Sequence, residues 1–67
     1  MWVEEEHWHG RQATKTYLFF KAFVSEIRRS WWVVDSDEII ISGHETDYGT
    51  AKHKAHQALL ALTDGTA

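Results

Sequence analysis

Histidines and carboxylates are the residues of this 67-residue chain whose types and spacing could support metal chemistry. His7 and His9 lie two residues apart, and His53 and His56 are spaced so that they can share one face of a helix. A zinc site needs three or four ligands, and since the chain has no cysteine, the other ligands would have to come from a nearby polar stretch. The candidates there are His44, Glu45 and Asp47. Because surface histidines explain the pattern more simply, we predict no metal site and no cofactor.

Catalytic motifs are the next chemistry to consider, and the sequence offers none. No nucleophile elbow surrounds any of the serines, and there is no glycine-rich phosphate loop. Several carboxylates lie in stretches that we predict to be turns, where such residues usually cap and solubilise. These serines and carboxylates are Ser25, Ser30, Ser36, Ser42, Asp35, Asp37, Glu38, Glu45 and Asp47. We therefore predict that the protein is not an enzyme.

Composition and charge restrict the partners that the protein can have. The net charge is −3, so binding to nucleic acid would require local clustering of basic residues. No run of residues approaches the roughly 18 apolar residues of a membrane span. The N-terminus is acidic, whereas a signal peptide begins with basic residues and continues with apolar ones. We expect a cytoplasmic protein that does not bind membranes.

The elements that would position any site are harder to assign in the first half of the chain. We predict one domain over residues 1–67, in which 1–15 form an N-terminal strand or arm and a connection. Residues 16–27 fit two patterns. Alternating apolar residues indicate a strand, whereas the stripe of Phe20, Phe23, Val24, Ile27 and Trp31 fits a helix. The aromatic and β-branched content favours the strand, and the lack of a turn signal before Trp31 favours the helix.

The second half of the chain has clearer signals. Residues 31–34 and 38–42 are predicted strands, and 35–38 supply turn residues between them. Asp47 is a good N-cap for a helix that runs from about Tyr48 to Leu62, and Gly65 suits a C-terminal cap. The predicted core is a β-β-β-α unit over 16–62, followed by a frayed tail at 63–67. The predicted fold class is α+β, a three-stranded antiparallel meander with one C-terminal helix packed on one face.

This layout resembles the β-β-β-α unit of HicB-like antitoxins, which recurs in small phage proteins. The resemblance lies in the stretch WWVVDSDEIIISGHETDYGTAKHKAHQAL and in the strand-like segment before it, KTYLFFKAFVSE. In that family, aromatic strands lead to a glycine and then to a capped helix with regularly spaced alanines. The matching positions here are Gly43, Asp47, Ala51, Ala55 and Ala58. The resemblance implies a small phage- or prophage-type regulator or inhibitor, antitoxin-like or anti-defence, that occludes a partner protein.

Basic residues indicate an alternative function, which is nucleic-acid binding. Arg28 and Arg29 precede two tryptophans, a combination suited to phosphate contact and base stacking. Lys52 and Lys54 fall near the start of the predicted helix, where the helix dipole is positive. The segment GTAKHKAHQALLAL is also similar to the last helix of double-stranded RNA-binding domains. In this similarity Lys52, His53 and His56 take the basic positions.

A surplus of aromatic residues supports the function that we favour. The chain has four Trp, two Tyr and three Phe, and one helix cannot cover both faces of the predicted sheet. Trp, Tyr and Arg are the usual anchors of protein interfaces. We predict a protein-binding module whose partner is another protein, a second copy of the chain or both. The predicted interface residues are Tyr17, Phe19, Phe23, Arg28, Arg29, Trp31 and Trp32.

Overall fold

The computed structural model describes residues 2–8 and 10–64 and has an α+β fold. Within these residues, five antiparallel strands form one sheet in the order β1-β2-β3-β4-β5, and one helix follows them. The strands are β1 (Val3–His7), β2 (Gly10–Tyr17), β3 (Phe20–Ser25), β4 (Ser30–Asp35) and β5 (Glu38–His44), and the helix is α1 (Tyr48–Asp64). No helix in these residues is long and apolar enough to cross a membrane.

The prediction of a three-stranded meander was wrong, because the first 19 residues contribute two more strands. Residues 11–15, predicted as a connection, belong to β2, and Ala13 on this strand is buried. The stretch 16–24 is divided by a two-residue turn at Leu18 and Phe19. Leu18 has a positive φ of 55°, which costs a residue with a side chain about 1–2 kcal/mol. No Gly, Asn or Asp stands there, so the sequence carries no signal for this turn.

The predicted strands at 31–34 and 38–42, the turn between them and the start of the helix were confirmed, whereas α1 continues to Asp64, two residues into the predicted tail. Residues 20–25 form a strand, which resolves the choice between strand and helix at that position. Ser36 and Asp37 join β4 to β5 with φ values of 51° and 69°, as a type I′ turn requires. Asp47 caps the helix, since its Oδ1 accepts a hydrogen bond of 2.8 Å from the amide of Thr50. Residues 65–67, which include the predicted cap Gly65 and the end of the predicted tail, lie outside the described residues.

The helix packs on one face of the sheet, over β3 and β4. Four alanines in this layer, Ala13, Ala22, Ala51 and Ala55, are at most 1% exposed. They belong to one buried cluster with larger side chains from β3, β4 and α1, namely Phe20, Val24, Trp31, Val33, Tyr48 and Leu59. Small side chains let a helix approach a sheet closely, so the helix covers the centre of this face, over β3 and β4.

Gly43 on β5 leaves the space that the indole of Trp31 fills. The two residues are register partners, and a Cβ built on Gly43 would lie 2.8 Å from the Trp31 ring. Trp31 is 7% exposed, and its Nε1 donates a hydrogen bond of 3.2 Å to Glu45 Oε2. The indole is thus fixed by packing and by a hydrogen bond at the point where the chain leaves the sheet for the helix.

The same substitution at two glycines should therefore change stability in opposite directions. Gly43→Ala should lower the free energy of unfolding by about 1–3 kcal/mol, because the buried indole must shift. Gly49→Ala, in the first turn of α1, should raise it by up to about 1 kcal/mol through helix propensity, since its new Cβ would meet only Asp47 Oδ1 at 3.4 Å. Urea denaturation followed by circular dichroism measures both changes. Equal effects at the two positions would contradict this packing.

Candidate protein-binding surface

The face of the sheet opposite the helix, here called the open face, carries an aromatic pair at its centre. Ala22 and Val33 are fully buried on the helix side, so their strand neighbours Phe23 and Trp32 point to the open face. Phe23 and Trp32 are cross-strand partners whose rings stack with centroids 5.5 Å apart and planes 10° from parallel. Such pairs add to sheet stability. Both side chains are nevertheless only half-buried.

A shallow depression of about 430 Å³ lies beside the Trp32 ring on this face. Its walls are Gln12, Ser25, Ile27, Arg28 and Trp32. Ser25 is buried at its base, and its Oγ accepts a long hydrogen bond of 3.4 Å from the Arg28 amide. The depression therefore combines an aromatic wall, an aliphatic wall and a guanidinium, which suits an apolar side chain close to a carboxylate.

The predicted interface residues do not form one site in the structure. Phe23 and Trp32 lie together, with Arg28 beside them. Trp31 was predicted in the interface but lies in the core, because alternation along β4 turns it to the helix side. Tyr17 and Phe19 lie at the β2–β3 turn, at the other end of β3 from Arg28 and about 20 Å away for a six-residue strand.

Arg28 and Arg29 lie in the loop between β3 and β4. Both side chains are exposed, and neither forms an ion pair with any other residue that the structure describes. Arg29 has a positive φ of 52°, and its carbonyl accepts a hydrogen bond of 2.8 Å from the amide of Glu45. The loop backbone is thereby tied to the residue that follows β5, while the side chains of Arg28 and Arg29 remain exposed.

β5 forms an exposed edge of the sheet. The sequence predicted this strand as part of a hairpin but did not indicate that it could bind anything. Ile39, Ile40 and Ile41 are 62%, 42% and 39% exposed. A register shift in the β4–β5 pairing leaves Ile40 without a cross-strand partner on β4. The signal in the sequence was three consecutive isoleucines. Because side chains alternate between the two faces of a strand, three in a row cannot all be buried on one face.

Lys52 is engaged within the protein. Its Nζ lies 3.1 Å from Glu4 Oε1, and the rings of Trp2 and Tyr48 are within 5.8 Å. The hydrogen bonds from Lys52 and Tyr48 lower the pKa of Glu4, and burial together with the Glu4 contact raises the pKa of Tyr48 to about 12. Lys54 lies two residues further, on roughly the opposite side of the helix. The two lysines therefore do not form a joint basic patch.

The histidines do not converge on a metal site in the part of the chain that the structure describes. His9 lies outside the described residues, so the predicted pair of His7 and His9 is not placed. His56 contacts Lys15 instead, with 2.8 Å between Nζ and Nδ1. Since an ammonium group can only donate, the Nδ1 of His56 accepts, and the ring is neutral in this arrangement.

No family model, curated protein or solved structure matches this chain. The resemblance to HicB-like antitoxins therefore stays a prediction.

The contact between Lys15 and His56 predicts a pH dependence of stability. Burial and the Lys15 charge lower the pKa of His56 below its ordinary value of 6.5. The unfolded chain then binds more protons than the folded one between the folded pKa and 6.5, so stability should fall as the pH drops from about 7 through this window. His56→Gln should remove this part of the slope in urea titrations at several pH values. His53→Gln, at an exposed position of α1, is the control and should retain it; a slope unchanged by His56→Gln would contradict the assignment.

Proposed function

We propose that this chain is a non-enzymatic protein-binding module that binds its partner through the open face. The single observation that carries the proposal is the stacked Phe23–Trp32 pair, which is half-buried in the middle of an otherwise uncovered sheet face. Aromatic side chains surrounded by smaller groups are the usual centre of a protein interface. Val34 and Ile39, which are register partners on the same face, extend the apolar surface toward β5.

The geometry of the stack favours a protein over a nucleic acid. A nucleobase stacks on the free face of an aromatic ring. Here Phe23 and Trp32 contact each other, and Lys21 Nζ lies over the Phe23 ring, 5.2 Å from its centroid. The Phe23 ring is therefore already engaged before any partner arrives. Apolar side chains can pack around the edges of such a stack, which makes it a better anchor for a protein surface.

Charge around the open face indicates the chemistry of the partner. Lys21 lies over the Phe23 ring and Arg28 lies beside Trp32, so two positive charges flank the aromatic pair, although the whole chain has a net charge of −3. Interfaces place opposite charges across from one another, mainly around the rim. The proposed partner surface has an apolar centre and a carboxylate-bearing rim.

Occlusion is the mode of action that fits this kind of surface. A small rigid sheet with an apolar centre can cover a functional site on another protein without contributing any chemistry of its own. A regulator or inhibitor of the antitoxin or anti-defence kind, as the resemblance to HicB-like proteins implies, would act in this way. The proposal concerns the surface and the class of partner.

The test is to measure binding of variants to a partner captured from the organism that carries this chain. Trp32→Ser and Phe23→Ser should each weaken the purified complex by about 30-fold or more, the loss that corresponds to about 2 kcal/mol at an interface anchor. Leu60→Ser removes an equally apolar, 42% exposed side chain from α1 and is the matched control. Isothermal titration calorimetry measures the Kd, and circular dichroism checks that each variant is folded.

Comparison with Leu60→Ser also shows which results would contradict the proposal. Binding that survives Trp32→Ser and Phe23→Ser in folded protein, or that Leu60→Ser weakens as strongly, would place the partner on another surface.

Nucleic-acid binding is a second candidate, favoured by the position of Arg28 beside Trp32. The engagement of Lys52 with Glu4 weighs against it, since the predicted basic set of Arg28, Arg29, Lys52 and Lys54 is not gathered on one side. We expect labelled single- and double-stranded DNA and RNA to bind no more tightly than about 10⁻⁴ M at physiological salt, the weak end of non-specific binding. Fluorescence anisotropy measures this affinity.

The same assay can reverse the preference between the two functions. A micromolar or lower Kd that weakens steeply with salt and is lost in the double variant Arg28→Glu and Arg29→Glu would favour the nucleic acid. Retention of that affinity in the double variant Lys52→Glu and Lys54→Glu would localise the contact to the β3–β4 loop.

A further inference from the structure

The two edges of the sheet differ in a way that bears on self-association. Strands β1 and β5 are the outer strands, and no other described strand pairs with either outer edge. Edge strands expose unpaired backbone groups, and proteins protect them with charged side chains. β1 carries three consecutive glutamates, Glu4, Glu5 and Glu6. β5 carries three consecutive isoleucines and, between Glu38 and His44, no ionisable side chain.

The backbone of β5 offers hydrogen-bonding groups to a further strand. The Glu45 amide donates to the Arg29 carbonyl on the β4 side. Because backbone groups point to alternate sides along an antiparallel strand, the amides and carbonyls of His44 and Ser42 point to the outer edge. The register shift in the β4–β5 pairing falls between Val33 and Val34, so the segment from Ile41 to His44 keeps regular pairing with β4.

We propose that β5 is a self-association edge, which pairs antiparallel with β5 of a second copy of the chain. This inference is independent of the proposed function, since it needs no other partner. Pairing through β5 in both copies is isologous and closes on itself, whereas pairing β1 with β5 would continue as an open chain of molecules. Pairing β1 with β1 would set glutamates against glutamates. β5 with β5 is the pairing that is both closed and free of like charges across the strands.

In the proposed pairing, the two-fold axis passes between the Ile41 residues of the two copies. In that register, Ile41 of one copy faces Ile41 of the other, and both lie on the helix side of the sheet, as does their partner on β4, the buried Val33. Ile41 is a non-hydrogen-bonded position toward the new strand, where side chains approach most closely and Cα atoms are about 4.5 Å apart.

The pairing would also enlarge the open face. A two-fold axis relating antiparallel edge strands is perpendicular to the sheet, so both helices lie on the same side of the combined sheet. The two open faces then form one surface with two Phe23–Trp32 pairs. An elongated partner, or a two-fold symmetric one, could contact both pairs at once.

A single cysteine tests the register directly, because the natural chain has none. Under mild oxidation, Ile41→Cys should form a disulfide-linked dimer, since the Cα separation at a non-hydrogen-bonded pair suits the bond. Val3→Cys, at a 61% exposed position on β1, is the matched control and should stay monomeric. No cross-link at position 41, or more cross-linking at position 3 than at 41, would overturn the proposal.

Sedimentation equilibrium of the natural chain measures the association without a cross-link. The weight-average mass should rise with concentration from 7.8 kDa toward twice that value. Ile41→Lys should raise the dissociation constant about tenfold or more, because it sets two ammonium groups against each other. Circular dichroism checks its fold. If Ile41→Lys does not fold, the comparison of Ile41→Cys with Val3→Cys is the deciding test. A mass of 7.8 kDa at every concentration up to the millimolar range would overturn the proposal.

Discussion

The close contact between α1 and the sheet is the constraint on which the rest of the structure depends. Ala13 and Ala22 on the sheet and Ala51 and Ala55 on the helix are almost completely buried in one cluster. Small side chains allow the close approach, and the larger Val24, Val33 and Leu59 fill the remaining volume. The described residues include one helix with which to cover a five-stranded sheet, so the packing that covers the centre of one face leaves the other face uncovered.

The uncovered face and the uncovered edge follow from this one arrangement. The helix lies over β3 and β4, and β5 receives less of its cover. Ile41 on the helix side of β5 therefore stays partly exposed, and Ile39 and the aromatic pair on the open face have only their neighbours in the sheet for contact. Both features leave apolar surface in water, which a small protein usually buries against another molecule. The proposed partner surface and the proposed self-pairing edge are different parts of this exposed apolar surface.

The sequence predicted best where local chemistry decides the structure. Asp47 as an N-cap, the alanine spacing of α1 and the turn at 35–38 each depend on neighbouring residues, and each was found. The N-terminal half was mispredicted because its turn at Leu18 and Phe19 has no glycine, asparagine or aspartate. There the pairing of β2 with β3 holds Leu18 in a left-handed conformation that its own propensity disfavours. Because that turn was not recognised, two strands were predicted as one, and Tyr17 and Phe19 were assigned to the same interface as Phe23.

The sequence indicated which types of residue form the candidate site, but not which of them lie together in the structure. Phe23, Trp32 and Arg28 do lie together, whereas Trp31 is in the core, as alternation along a strand requires for one of two adjacent tryptophans. Which of the two is buried depends on Gly43 opposite Trp31, a pairing between strands that periodicity within one strand does not reveal. The engagement of Lys52 by Glu4 likewise depends on contacts 48 residues apart in the chain.

Fluorine NMR of protein labelled with 5-fluorotryptophan tests the central claim most directly, because the tryptophans report on different surroundings. Trp31 is in the core, Trp32 is on the open face, and Trp8, which follows β1, is 96% exposed. Spectra in buffer and in concentrated lysate of the organism that carries this chain should differ mainly at Trp32, while Trp31 stays unchanged. Trp8 reports non-specific contact. A Trp32 signal that is unaffected, or that broadens no more than that of Trp8, would contradict the open face as the binding surface.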